Sequence, residues 1–113
     1  MKGYGIALTM VFADRLYLSP EIKEEYKIHI KSLKKNKSSF FLYLAVFLEG
    51  ETELCLIHNS IFLANYRKSD AFIVGLALGK TEGMRLIGDI IEDTYKKRKD
   101  FNYYGFLRKT GGK

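Results

Sequence analysis

The sequence has no tryptophan, one cysteine, one proline and two histidines. Each shortage closes off a class of explanation. Cys55 alone cannot form an internal disulfide, which points to a reducing compartment and hence the cytoplasm. One cysteine with His29 and His58 matches no zinc spacing, so neither a metal nor a cofactor is expected. With one proline and few Ser- or Gly-rich stretches, there is no linker to divide the chain, and residues 1–113 read as a single domain. No apolar run reaches the roughly 18–20 residues that cross a bilayer, so no membrane partner is expected. The longest runs, Phe40–Leu48 and Ala71–Leu78, have the length of strands. At the N-terminus, Lys2, the apolar Tyr4–Phe12 and Ala13 resemble a small signal peptide. The stretch is shorter than the usual ~15–30 residues, and Gly3 and Gly5 interrupt it.

Acid is in deficit too, with 13 Asp+Glu against 19 Lys+Arg and a net charge of +6. That balance favours solubility and an anionic partner. Hydrophobic residues make up 47% of the chain, enough for one core without staples.

The apolar pattern gives the elements. Tyr4, Ile6, Leu8, Met10 and Phe12 alternate as in a strand, Ala13-Asp14 reads as a turn, and Arg15–Leu18 as a short return. Ser19-Pro20-Glu21 is a helix start, with serine to cap and proline at the first helical position. Ile22, Tyr26, Ile30 and Leu33 follow at helical spacing. A competing strand reading has Tyr26, Ile28 and Ile30 alternating with Lys27, His29 and Lys31. FFLYLAVFL, the acidic turn Glu49–Glu53 and Leu54–His58 form a hairpin. A connection over Asn59–Asp70, with one helical turn near Ile61–Ala64, leads to the apolar strand AFIVGLAL. Thr81 can cap a helix to about Lys99, with Met84, Ile87, Ile91 and Tyr95 as its stripe, broadened by Leu86 and Ile90. Gly83 and Gly88 are costly there and would let the helix lie close to the sheet. Phe101–Leu107 is an edge-strand candidate. The expected fold class is α+β, a largely antiparallel sheet with two helices packed on one face, with a ferredoxin-like β-α-β-β-α-β plan as its specific form.

GLALGKTEG, residues 75–83, resembles a phosphate-binding loop but fails as one. The loop needs four residues between its glycines so that backbone N–H groups can wrap phosphate. Gly75 and Gly79 enclose only Leu76, Ala77 and Leu78, which continue a strand. Lys80 and Thr81 remain a weaker anion-binding candidate at a helix N-terminus, where Glu82 already meets the dipole.

No catalytic constellation stands out. Cys55 and His58 are three apart, and strand alternation sends them to opposite faces. The carboxylate pairs Glu24/Glu25, Glu51/Glu53 and Glu92/Asp93 lie in charged segments, with nothing to shift their ionisation. The basic run Lys96–Lys99 complements a helix C-terminus. Lys23, Lys27, Lys31 and Lys34 recur at helical spacing beside the first apolar stripe, and Lys35 and Lys37 extend the line. Such a ridge can follow a phosphate backbone with little sequence specificity; the plainer reading is a solvated lysine face. Phe101, Tyr103, Tyr104 and Phe106 before Arg108 and Lys109 mix aromatics with cations, as single-strand binders do, or they cover the core's edge.

FFLYLAVFL and AFIVGLAL do not alternate, so both faces of the sheet call for cover. If both helices lie on one face, the other needs a second copy. Phe41, Tyr43 and Phe47 fall on the aromatic side and are the self-association candidates. The leading expectation is a non-catalytic interaction or adaptor domain acting as a homodimer. A basic nucleic-acid-binding module is the alternative, and an enzyme or ligand-binding protein with an unrecognised pocket is a weaker one.

Overall fold

The computed structural model describes residues 10–48, 53–65 and 71–98. In chain order these residues form β1 (Met10–Leu18), a 3-10 turn (Pro20–Ile22), α1 (Tyr26–Lys34), β2 (Leu42–Leu48), β3 (Cys55–His58), α2 (Asn59–Asn65), β4 (Ala71–Leu78) and α3 (Lys80–Arg98). The strands make one mixed sheet in the order β1-β4-β2-β3, and the class is α+β. The expected strand over residues 4–9, most of the acidic turn, the end of the connection before β4, and the whole of 101–113 lie outside the described residues.

β2 is antiparallel to β3 and to β4, as a hairpin and its neighbour should be. β1 departs from the expected antiparallel pattern by pairing parallel with β4 at the sheet edge. The turn expected at Ala13-Asp14 is a bulge. Phe12 pairs with Ile73 and Tyr17 with Gly75, so the chain loops out between them and resumes in the same direction. Asp14 and Arg15 are exposed on that excursion while Ala13 is buried. β3 and β4 run the same way with β2 between them, so α2 makes a split β-α-β crossover.

Both faces of the sheet are covered by the chain's own helices, because the two long-range apolar strands bury alternate side chains in opposite directions. Leu42, Leu44, Val46, Ile73 and Leu76 pack with Ile22, with Leu33 of α1, and with Phe62 and Leu63 of α2. Ala45, Phe47, Phe72, Val74 and Ala77 pack with Leu86 and Ile90 of α3. Two helices therefore do share a face, but they are α1 and the short α2. The long C-terminal helix, expected beside α1, lies on the opposite face.

Ser19 was expected to cap a helix, and it belongs to the sheet instead. Its hydroxyl accepts the N–H of Leu78 at 3.1 Å, and its own N–H donates to the Leu76 carbonyl at 3.1 Å. No side-chain cap forms, only a 3-10 turn follows, and α1 begins at Tyr26. The helical stripe nonetheless stands. Ile22 and Leu33 are buried, and Tyr26 and Ile30 pack against the same core. The strand alternative fails, and Ile28 is left in solvent. α1 ends with Asn36 in the left-handed region at φ 62°. The N–H of Lys37 donates to the Ser32 carbonyl at 2.8 Å and that of Asn36 to the Leu33 carbonyl at 3.0 Å, a Schellman ending with asparagine in the usual glycine place.

The buried stripe of α3 is Gly83, Leu86, Ile90 and Thr94, while Met84 and Tyr95 of the expected stripe are exposed. Gly83 sets the offset. A β-carbon there would stand 2.7 Å from Leu56 Cδ1, so any side chain at this position would displace the end of the Leu56 side chain. Gly88 plays no such part, since a β-carbon there would meet nothing within 4 Å. Thr94, fully buried, donates its hydroxyl to the Ile90 carbonyl at 2.8 Å, which satisfies it inside the apolar layer.

Candidate functional site

Gly75, Leu76, Ala77 and Leu78 all belong to β4, so the residues that would have wrapped a phosphate are in the sheet. A β-carbon on Gly75 would lie 2.5 Å from Leu86 Cδ2, so this glycine admits α3. Gly79, at φ 95°, turns the strand into α3. Lys80 and Thr81 are exposed on the first turn of that helix. Glu82 shares the turn and pairs with Arg85 at 3.7 Å. The negative charge offsets the helix dipole where an anion would sit.

Among the described residues, six lysines form an extended charged feature. Lys27, Lys31 and Lys34 stand on α1, Lys23 precedes the helix, and Lys35 and Lys37 follow it; all six are exposed. Ion pairs among the described residues lie on α3, Glu82–Arg85 and Glu92–Lys96, and none engages this ridge. The Schellman ending carries the line of charge into the loop at a fixed angle. Lys34 holds its ammonium 5.7 Å from the centroid of the Phe12 ring on β1, which ties one ridge member to the sheet.

Beyond Lys37 the chain enters a clamp built by β3 and α2. Asn59, fully buried, donates to the carbonyls of Ser39 at 2.7 Å and Leu42 at 2.8 Å, and accepts the Ser39 N–H at 2.8 Å. His58 Nε2 lies 2.6 Å from the Phe40 carbonyl. Its Nδ1 accepts the Ser60 N–H at 3.2 Å, which makes Nε2 the protonated nitrogen and donor. The Gly79 N–H donates to the Phe41 carbonyl at 2.8 Å. Every residue from Ser39 to Leu42 is thus tied through its backbone. Between the ties, Phe40 and Phe41 are 81% and 62% exposed, edge to face with centroids 4.7 Å apart.

The three self-association candidates part company here. Phe41 faces solvent. Tyr43 is half-covered and packs edge-on against the His58 ring at 5.0 Å. Phe47 is 1% exposed and stacks on Phe72 in the core beneath α3. Cys55 packs toward the α1/α2 core while His58 faces the other way, so the two form no dyad. Among the described residues no three His, Cys, Asp or Glu side chains gather as a metal site, and no helix is long and apolar enough to cross a membrane.

Among the described residues, Tyr17 is displaced from its ordinary ionisation. On β1, it donates its hydroxyl to Asp93 of α3 at 2.8 Å. Burial, the bond to Asp93 and the charges of Asp93 and Asp89 push its pKa upward. This bond ties β1 to α3.

The clamp was missing from the sequence reading, which treated Asn59–Asp70 as a connection. A short polar residue between a strand and the apolar Ile61-Phe62 is a helix-start signal. That signal says nothing of Ser39 or Leu42, because those contacts are long-range. No protein-family profile matches the sequence, and neither a curated protein nor a solved structure is detectably similar to it.

Proposed function

We propose that the chain is a non-catalytic binding module that holds nucleic acid along its phosphates, with low sequence specificity, through the α1 ridge. The supporting observation is the one-sided array of Lys23, Lys27, Lys31, Lys34, Lys35 and Lys37, exposed and outside the ion pairs of the described residues. Lysine brings charge without the planar fork that reads bases, so binding rests on counterion release and weakens as salt rises. Among the described residues, the apolar side chains of both sheet faces are packed under the α1/α2 and α3 layers, so they are not the surface on offer.

The test is anisotropy of labelled oligonucleotides across a salt series, with Lys27→Glu, Lys31→Glu and Lys34→Glu combined. Loss of three phosphate contacts should reduce the slope of log affinity against log salt by about 2. Circular dichroism unchanged from the parent chain shows that the exposed substitutions spare the fold. Undiminished binding by the triple variant sinks the proposal.

A self-associating interaction module is the second reading, favoured by the exposed Phe41 and its neighbour Phe40. Its contact is smaller than the sheet face first considered, since Phe47 is inside the chain's own core. A light-scattering mass of one chain at tens of micromolar removes it.

A further inference from the structure

We infer that Phe40 and Phe41 form a rigid stacking platform for unpaired bases, so that the ligand of the lysine ridge is single-stranded nucleic acid. This inference rests on the ridge holding the phosphates. Its own evidence is the contrast between how firmly the backbone of Ser39–Leu42 is held and how openly its two rings are displayed. A phenylalanine in a loose loop can turn inward and lose its contact with water. Here the buried Asn59 fixes Ser39 and Leu42, His58 fixes Phe40, and the N–H of Gly79 fixes Phe41. The rings stay out, 81% and 62% exposed, on a backbone whose carbonyls from Ser39 to Leu42 are all bonded from within. An aromatic surface ordered before its ligand arrives loses little conformational freedom on binding.

Charge selects the ligand. Lys37 lies three residues before Phe40, at most about 11 Å away along an extended chain. A strand whose phosphates lie on Lys34, Lys35 and Lys37 therefore needs little further length to bring a base to the rings. The rings meet at 83°, so they offer faces in two planes. A single strand can splay successive bases onto them, whereas in a duplex the base faces are already stacked on one another. Stacking on phenyl rings tolerates any base, in keeping with a stretch from Lys23 to Leu42 that contains lysines and no arginine.

The experiment compares a fluorescent oligothymidylate with a hairpin duplex of equal charge, for the parent chain and for the double variant Phe40→Ala, Phe41→Ala. The parent should prefer the single strand. The double variant should lose about ten-fold or more in single-strand affinity, with duplex affinity and salt slope unchanged. Phe40→Tyr with Phe41→Tyr should restore it, since tyrosine keeps the ring face. Both side chains are exposed, and circular dichroism checks that the fold is intact. Equal affinity of the parent for both ligands, with no loss in the alanine variant while the lysine-to-glutamate variant binds neither, overturns the platform and leaves the ridge standing. Failure of the parent to bind any nucleic acid overturns both. A loss on both ligands that tracks a change in oligomeric mass overturns the platform in favour of a protein contact.

Discussion

The two faces of the sheet solve the same problem with opposite materials. Under α3, Phe47, Phe72 and Val74 are interspersed with small residues: Ala13, Ala45 and Ala77 in the sheet, Gly75 below Leu86, and Gly83 against Leu56. One long helix covers them. Under α1 and α2 the layer is built mostly from larger side chains, Ile22, Leu33, Leu42, Leu44, Phe62 and Ile73, and two short helices with a turn cover it. The candidate site lies on the elements of this second layer: the lysines line and flank α1, and the loop that follows α1 is held by Asn59 at the start of α2.

The largest effect expected from breaking this contrast is at Asn59. Asn59→Ala leaves the Ser39 N–H and the Ser39 and Leu42 carbonyls without their partner, the Leu42 bond being buried and the two Ser39 bonds partly so. Stranded buried polar groups cost about 1–3 kcal/mol each, partly relieved by relaxation, so a loss of about 3 kcal/mol is expected. Chemical denaturation measures it. Hydrogen exchange should show the loss of protection concentrated at residues 39–42, with α3 spared. A loss spread evenly over α3 as well would mean that the two layers are not separable.

How much of this was legible follows from the range of each signal. The stripe Ile22, Tyr26, Ile30 and Leu33 is local, and it sits against the core as its spacing indicates. The two-sided burial of FFLYLAVFL and AFIVGLAL was also in the residue pattern, and β2 and β4 are the inner strands of the sheet. What the pattern does not carry is which element supplies each cover. An apolar stripe says that α3 needs a surface, and both surfaces of the sheet are apolar. The parallel pairing of Met10 with Ala71 spans most of the chain, and nothing near Met10 encodes it. Assigning α3 to the wrong face created the apparent need for a second copy at Phe47. The exposure of Lys27, Lys31 and Lys34 was legible because it depends only on the orientation of one helix, which its own stripe fixes.

A smaller effect, with a pH signature, is expected on the α3 side. Tyr17→Phe deletes the bond to Asp93 that ties β1 to α3 and should cost about 1 kcal/mol near neutral pH, the site being half-open to solvent. The folded state holds the Tyr17 proton more tightly than the unfolded chain, which releases it near the ordinary value of about 10. The folded pKa is the higher, so this contribution is fully present below about pH 10 and is lost as pH climbs beyond it. The parent should therefore lose stability between pH 10 and 11 more steeply than Tyr17→Phe, as read from urea midpoints. Parallel slopes would remove the Tyr17–Asp93 bond from the account of how β1 is held.

The smallest and sharpest comparison uses two glycines of one helix. Neither has a positive φ, so each can accept alanine in its backbone conformation. Both should gain about 1 kcal/mol of helix propensity on that exchange. At Gly88, exposed and with nothing within 4 Å of the added carbon, the gain is uncompensated and Gly88→Ala should stabilise the chain. At Gly83 the same carbon meets Leu56 Cδ1 at 2.7 Å and Cδ2 at 3.0 Å, so α3 must lift or Leu56 must leave its place. Overpacking of this kind costs about 1–3 kcal/mol, enough to cancel or outweigh the propensity. Gly83→Ala should fall below Gly88→Ala in denaturation midpoint by an amount that Leu56→Ala, which removes the obstructing atoms, largely abolishes. Equal gains at the two positions would mean that α3 does not rest on β3 through Gly83, and the close packing of α3 on the sheet would have to be sought at Gly75 alone.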